Sequence, residues 1–417
     1  MSDQATSGLR ADGKQSALEG IRVVDFTHFI AGPISTRFLG DMGADVIKIE
    51  NATGGDDLRR FGPSLSGEGV PFLWANRNKR GMALDLSRDS ARRIVLDLIS
   101  TADILVENFS TGVMERFGLG FDIVKEVNPR LIYCSVSAYG RDGRLADRLG
   151  FDTVVQAETG FMSLNGFPNG PGVRTGPAVM DIATGLTATI AILGALAARF
   201  RTGFGQRVET SLFDVGTLML GFQALGHLAT GKNPQRVGND GTDSMPTGVF
   251  ATADGTLYLI CPNDRTYSRL VRDVLNRPDL LDDPRFRTNL DRMQNRTDLQ
   301  TLLEGELTKN TSEAWAKRMR ELKVPCGVIR TVQEAFQSPE MIERRIVGAI
   351  PHPTAGTVPN IASPLRLSGT PLVEAVAAPT LGQHTGEILE MLGYDSDRIA
   401  EWSAAGIFGE GGLVGRQ

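Results

Sequence analysis

Short apolar runs alternate with amphipathic stretches from residue 21 to residue 136, and this alternation constrains the fold more than any other feature of the chain. Ile21–Phe26 (IRVVDF) has the pattern of a strand buried on both faces. A helical stretch follows, with Pro33 in its first turn and Gly43 at its end. Asp45–Glu50 (DVIKIE), Met82–Leu86, Ile104–Asn108 (ILVEN) and Leu131–Val136 (LIYCSV) read as further strands, and Ser90–Ser100 (SARRIVLDLIS) as an amphipathic helix. Strands separated by helices predict βαβ units, hence an α/β fold with a parallel, doubly wound sheet.

At 417 residues the chain exceeds the usual size of one core, which predicts two domains. Gly248–Phe250 and Leu257–Ile260 flank ATADG, a hairpin signal, after a loop rich in Pro, Gly, Asn and Asp at 233–247. Residues 214–329 are therefore expected to form a smaller α+β domain, with Arg207–Ser211 before it either strand or helix start. A further strand is expected near Cys326–Ile329 and a final helix at Thr385–Leu392. Residues 1–17 lack an apolar core and read as a disordered tail, not a signal peptide. The apolar stretch Ile182–Ala198 is slightly short and weakly apolar for a membrane span and reads as a buried helix.

A formal net charge of -5 argues against broad nucleic-acid binding. Three scattered cysteines, Cys134, Cys261 and Cys326, suit a reducing cytoplasm, and the four histidines show no zinc-site spacing. The expectation is a soluble cytoplasmic protein with no nucleic-acid or membrane partner and no metal. Neither GxGxxG nor a P-loop nor a GxSxG elbow follows any strand.

Asp181, after GPAVM and before the apolar helix, admits two readings. It is either a helix N-cap, or a nucleophile kept ionised by the positive helix end in dry surroundings. His28–Ala31 would stand at the carboxyl end of a parallel strand, where such sheets bind ligands. The run Asn76-Arg77-Asn78-Lys79-Arg80 is either solvated surface or a source of cations for phosphates. Asn108, ending a strand before Phe109 and Arg116, is by itself a turn former.

Taken in order, VVDFTHFIAGP (23–33), GADVIKIE (43–50), NRNKRGMALDL (76–86), DILVENF (103–109), GFDTVVQAETGFMSLNG (150–166), RTGFGQRVETSLFD (201–214), PCGVI (325–329) and LGQHTGEIL (381–389) resemble the class III CoA-transferases, a family that includes formyl-CoA:oxalate and carnitine CoA-transferases. The resemblance spans about residues 18 to 395. It implies a Rossmann-like CoA-binding domain built from 18–213 and 330–417, a small domain at 214–329, and an interlocked homodimer. It also implies a catalytic aspartate at Asp181 that forms an aspartyl-CoA thioester. CoA contacts are implied at His28, Ile30, Ala31, Leu84, Asn108, Phe109, Arg116 and Tyr139 with its neighbours. Coenzyme A and acyl-CoA are then substrates, with no permanently bound cofactor.

Two departures narrow the expectation. The family's racemase branch has a His before the Asp of Gly150-Phe151-Asp152, and Phe151 is no general base. Formyl-CoA:oxalate transferases carry four glycines where this chain has VGNDGTDSMP (237–246). The expected reaction is transfer of CoA from an acyl-CoA, best succinyl-CoA, to a small dicarboxylic or related acid. The acceptor would be selected by the 237–246 loop with Phe29 and Phe61, Asn239, Thr242 and Ser244 donating to its distal carboxylate. The alternatives are a racemase-like acyl-CoA isomerase and a non-catalytic CoA-binding protein.

Overall fold

The computed structural model of the chain describes residues 15–409 and divides into two compact units. One gathers the chain up to Phe161, Thr175–Leu225 and the chain from Glu343; the other gathers Met162–Arg174 and Gly226–Ile342. These bounds differ from the expected 214–329. Leu212 and Val215 stay in the core of the first unit, so the chain leaves it only after Leu225. Residues 162–174 join the second unit through the Gly238 N–H on the Gly166 carbonyl and Arg236 on the carbonyls of Ser163 and Gly170. Of the tail expected at 1–17, residues 1–14 lie outside the described residues; Ser16 is tied to the Pro371 carbonyl at 3.2 Å.

The first unit is organised on six parallel strands: β1 (Arg22–Phe26), β2 (Asp45–Asn51), β3 (Arg80–Leu84), β4 (Ile104–Glu107), β5 (Ile132–Ser137) and β6 (Arg207–Ser211), in the order β3-β2-β1-β4-β5-β6. Successive strand residues face opposite ways. Val24, Ile47, Met82 and Leu105 therefore pack on one side with α2 (Asp89–Ser100), through Ile94 and Leu98. Val23, Val46, Ile104, Ile132 and Cys134 pack on the other with α4 (Val179–Thr202), through Ala188, Ile192 and Leu196. Both faces are covered, which is why these strands read as largely apolar runs. Residues 207–211 take the strand reading. β3 ends two residues before the expected Leu86 because the Asp85 carboxylate accepts the Ser87 N–H and hydroxyl and turns the chain.

Helix α4 is longer than the apolar stretch suggested, and its 24 residues are long and apolar enough to cross a membrane. Its Gly185, Ala188, Thr189 and Ile192 are nevertheless buried in the first unit. α1 (Ala31–Asp41) lies against it: a Cβ on Gly185 would come within 2.6 Å of the Ala31 carbonyl oxygen, and Thr189 donates to the Ser35 carbonyl. Only a glycine lets the two helices meet there. The edge of the sheet at β3 is closed by the segment leading into α5 (Thr385–Met391). The His384 N–H donates to the Gly81 carbonyl, and the Gly81 and Ala83 N–H groups donate to His384 Nδ1 and Thr385 Oγ1. The LGQHTGEIL motif thus has a structural task.

The second unit contains an antiparallel sheet, β7 (Thr247–Ala251), β8 (Thr256–Ile260) and β9 (Cys326–Val328), in the order β9-β8-β7. The predicted ATADG hairpin joins β7 to β8, and Phe250, Leu257, Leu259, Phe286, Leu303 and Trp315 share its core.

Candidate active site

From β1 the chain runs outward to β2, and from β4 outward to β5, so the crevice over the carboxyl ends of β1 and β4 is the topological switch point of the sheet. There the Asn108 side chain holds both backbone groups of His28. The His28 N–H donates to Asn108 Oδ1 at 2.8 Å, and Asn108 Nδ2 donates to the His28 carbonyl at 2.8 Å. The His28 ring lies 5.0 Å from the ring of Phe29 and 5.4 Å from that of Phe109. Burial there pushes the imidazole below its ordinary value and keeps it neutral at neutral pH. Gly32, opening α1, must be small: a Cβ would meet the Thr27 side chain at 2.5 Å and Asn108 at 3.2 Å. Beside this latch opens a cavity of about 300 Å³ lined by Phe26, His28, Leu84, Asp85, Phe109 and Phe117.

Phe29 holds a left-handed backbone (φ 59°), which a bulky side chain adopts only when its surroundings impose it. Its N–H donates to Asp56 Oδ1 at 3.3 Å, and Asp56 Oδ2 receives the buried Lys48 ammonium at 3.1 Å. The Lys48 ammonium also donates to the Thr27 carbonyl. With the backbone so held, the Phe29 ring stands edge-on to Phe61 (6.0 Å) and Phe151 (5.5 Å), two rings about half exposed.

Asp181 is the third residue of α4 and half-buried. It is not the cap of that helix. Ala178 stands at the N-cap without a side-chain bond, and the carboxylate that closes the helix end belongs to Asp152, in the first turn of α3 (Asp152–Glu158). Asp152 Oδ2 accepts the N–H of Met180 at 2.7 Å and of Asp181 at 3.2 Å, and Oδ1 accepts Gln156 Nε2 at 2.6 Å. The positive end of the helix therefore does not keep Asp181 ionised. Burial, with the Asp152 carboxylate as the second cause, pushes the Asp181 carboxyl up to about 7. Nor are the first amides of α4 open to a developing oxyanion: those of Val179 and Ile182 donate to Pro177 and Ala178 carbonyls, and the two between them to Asp152. Gly185, one turn along from Asp181, touches Ala31, so Asp181 stands on the side of α4 that faces the start of α1.

The remaining expected residues separate. Ile30 and Ala31 lead from the His28 latch into α1, with Ala31 buried, and Leu84 is a fully buried wall of the cavity. Arg116 is exposed at the end of the short helix Val113–Arg116, and its guanidinium has no acidic partner among the described residues. Tyr139 donates its hydroxyl to Glu158 at 2.7 Å, with Arg148 over its ring. The run Asn76–Arg80 is neither solvated nor a supply of free cations. Arg77 pairs with Asp41, Lys79 with Asp25 at 2.9 Å, and Arg80 with Asp45 and Glu387. In the second unit Ser244 bonds Thr247, while Asn239 and Thr242 are exposed. Asp240 is 3.7 Å from Arg296. Asp152, Gln156, Lys48 and Asp56 escaped the sequence reading, since the groups they position, at Met180 and Asp181, Thr175, Thr27 and Phe29, lie 19 to 29 residues away. Among the described residues no group of His, Cys, Asp and Glu side chains converges as a metal site.

Comparison with known proteins agrees with this architecture. The model of CoA-transferase family III matches residues 18–385. A succinyl-CoA:glutarate CoA-transferase of Mus musculus is 35% identical over 392 residues, 94% of this chain and 90% of that protein. An acetyl-CoA:oxalate CoA-transferase of Acetobacter aceti is 37% identical over 352 residues, 84% and 89% of the two chains. The crystal structure of a CAIB/BAIF family protein from Brucella suis superposes with a TM-score of 0.82 at 35% identity, covering 91% of this chain and all of that one. The chain belongs to CoA-transferase family III and is a CoA-transferase.

Proposed function

We propose that the enzyme moves CoA from succinyl-CoA to a short dicarboxylic acid through a covalent intermediate on Asp181. The observation that carries this reading is the state of the Asp181 carboxyl: half-buried, raised towards neutrality, and on the side of α4 that faces the residues beside the His28–Asn108 latch. A carboxylate so poorly solvated is a stronger nucleophile than one in water. Asp181 attacks the thioester carbonyl of the donor, the C–S bond breaks, and a mixed anhydride and CoA thiolate result. The thiolate attacks the Asp181 carbonyl, releasing the donor acid and leaving an aspartyl-CoA thioester. The acceptor carboxylate attacks that thioester and expels the thiolate again. Thiolate attack on the acceptor's own carbonyl then forms the new acyl-CoA and returns Asp181 as a carboxylate. Thioester energy is conserved throughout.

CoA would lie along His28, Ile30, Ala31, Leu84, Asn108 and Phe109, with Arg116 and Tyr139 at its outer end. An unpaired, exposed guanidinium such as Arg116 suits a phosphate. Phe29, Phe61 and Phe151 would form an apolar collar for the acyl chain, favouring acids with methylene groups over oxalate. The glutarate specificity in the name of the mouse relative supports this choice. The measurement is kcat/KM for glutarate, succinate, longer and branched dicarboxylates and oxalate against succinyl-, acetyl- and formyl-CoA. Glutarate or succinate should exceed oxalate at least about tenfold, the effect of one or two methylenes in an apolar pocket; oxalate leading by as much would overturn the acceptor assignment.

We also read the protein as a soluble cytoplasmic homodimer. Leu186, Ile190 and Phe200 form an exposed apolar stripe along α4, opposite its buried face, and such stripes mark protein interfaces. Three free cysteines suit a reducing compartment. Light scattering at micromolar concentration should give twice the 45.0 kDa chain mass; an active monomer would refute the dimer.

A further inference from the structure

Asp152 is a buried carboxylate that the reaction as written does not use. Among the described residues its bonds are ones in which a carboxylate accepts: two backbone N–H groups from the first turn of α4, and the amide of Gln156 one turn further along α3. Gln156 in turn fixes the segment that leads into α4, its Oε1 accepting the Thr175 N–H at 3.0 Å and its Nε2 reaching Thr175 Oγ1 at 3.1 Å. The Thr175 hydroxyl donates to the Pro177 carbonyl at 3.0 Å. The start of α4 is thus clamped to α3 through one carboxylate and one amide.

We infer that Asp152 is a positioning residue for Asp181: it consumes the helix-end N–H groups that would otherwise bind and quieten the nucleophile, and sets a second negative charge beside it. A carboxylate at a helix N-terminus is ordinarily stabilised as the anion by those amides and by the helix dipole, which lowers its basicity. Here the amides are spent on the neighbour. Among the described residues Asp181 is left without a bonded donor, and the adjacent charge opposes its ionisation. Helix α1 turns Ala31, Ile34 and Ser35 towards α4. The carboxylates on the other elements against it are engaged elsewhere, Glu158 with Arg148, Glu209 with Arg207 and Asp214 with Ser211. Asp152 is the charged group that acts on Asp181. The cost of a bare carboxylate is borne by the clamp, and the gain is a more basic attacking oxygen.

The inference rests on Asp181 being the nucleophile, and the test separates the two. Asparagine caps a helix nearly as well as aspartate, so Asp152→Asn removes the charge and keeps the cap. In the full-length enzyme with succinyl-CoA as donor, Asp152→Asn should leave KM and CoA binding within about twofold. The acidic limb of the single-turnover acylation rate should move down by about one pH unit, and its plateau should fall about tenfold, as expected for a less basic nucleophile. A purely structural cap predicts a pH profile and plateau unchanged from wild type, and that result overturns the proposal. Should Asp152→Asn fail to fold, Gln156→Leu decides: a several-fold drop in kcat at constant KM supports the clamp, and an unchanged kcat refutes it. If instead Asp181→Ala retains turnover, the nucleophile assignment fails whatever Asp152 does.

Discussion

Asp181→Ala enzyme is expected to lose turnover by about 10³-fold or more, while still binding CoA, because the attacking oxygen is gone and the cavity walls remain. In the wild type, hydroxylamine or borohydride added during turnover with succinyl-CoA should modify Asp181, which mass spectrometry of the labelled peptide would locate. Residual activity above a few per cent, or a label elsewhere, would remove Asp181 from the mechanism. The same substitution carries a stability signature with a definite sign. Folding raises this carboxyl from 3.8 to about 7, so between roughly pH 4 and pH 7 the unfolded chain binds fewer protons than the folded one. In that window stability falls as pH rises. Alanine removes this penalty, and Asp152 rather than Asp181 closes the helix. The urea midpoint of Asp181→Ala should therefore equal or exceed that of the wild type at pH 8, and the gap should close towards pH 4. A variant clearly less stable than wild type at pH 8 would show that the Asp181 side chain stabilises the fold through bonds of its own.

Lys79→Met should destabilise the protein by about 3–5 kcal/mol, the usual penalty for stranding one partner of a buried ion pair. Asp25 and Lys79 are 2.9 Å apart and fully buried. Asp25, in β1, also accepts the Thr27 N–H and the hydroxyls of Thr27 and Thr36; Lys79 also donates to Asn76 and the Pro33 carbonyl. Burial by itself would raise the Asp25 carboxyl, but the Lys79 and Lys48 ammonium groups outweigh it and hold it below its ordinary value. Burial pushes the Lys79 ammonium down to about 8 against the pull of Asp25, so it remains largely charged at neutral pH. Urea unfolding would measure the loss, and Asp25→Asn combined with Lys79→Met should recover part of it, since neither charge is then stranded. A loss under about 1 kcal/mol for the single variant would mean that Lys48 alone suffices for Asp25.

Two readings of the sequence that failed share a cause. Asn76–Arg80 looks like solvated surface or a phosphate grip because local sequence shows five polar residues in a row. Their partners Asp25, Asp41 and Asp45 stand on β1, at the end of α1 and at the start of β2, decades of residues earlier. Asp181 looks like a cap because aspartate before an apolar helix usually is one. The capping carboxylate comes from Asp152, which no window around residue 181 includes. By contrast, the strands were legible one by one, since a strand covered on both faces is mostly apolar, its few buried charges such as Asp25 and Lys48 being paired. The latch residues His28 and Asn108 were legible as strand-end positions, while their mutual bonds required β1 and β4 to be neighbours.

The closure of β3 by His384 and Thr385 has a consequence for biosynthesis. During translation β1 to β6 leave the ribosome long before residues 384 and 385. A nascent sheet therefore presents the Gly81 and Ala83 amides as an open border until residues 303 and 302 positions further along have been made. The second unit, residues 226–342, must emerge in the interval and lengthens that exposure. A chain so organised completes its first unit only after the second has been made, and in the meantime its unfinished border is free to pair with other strands.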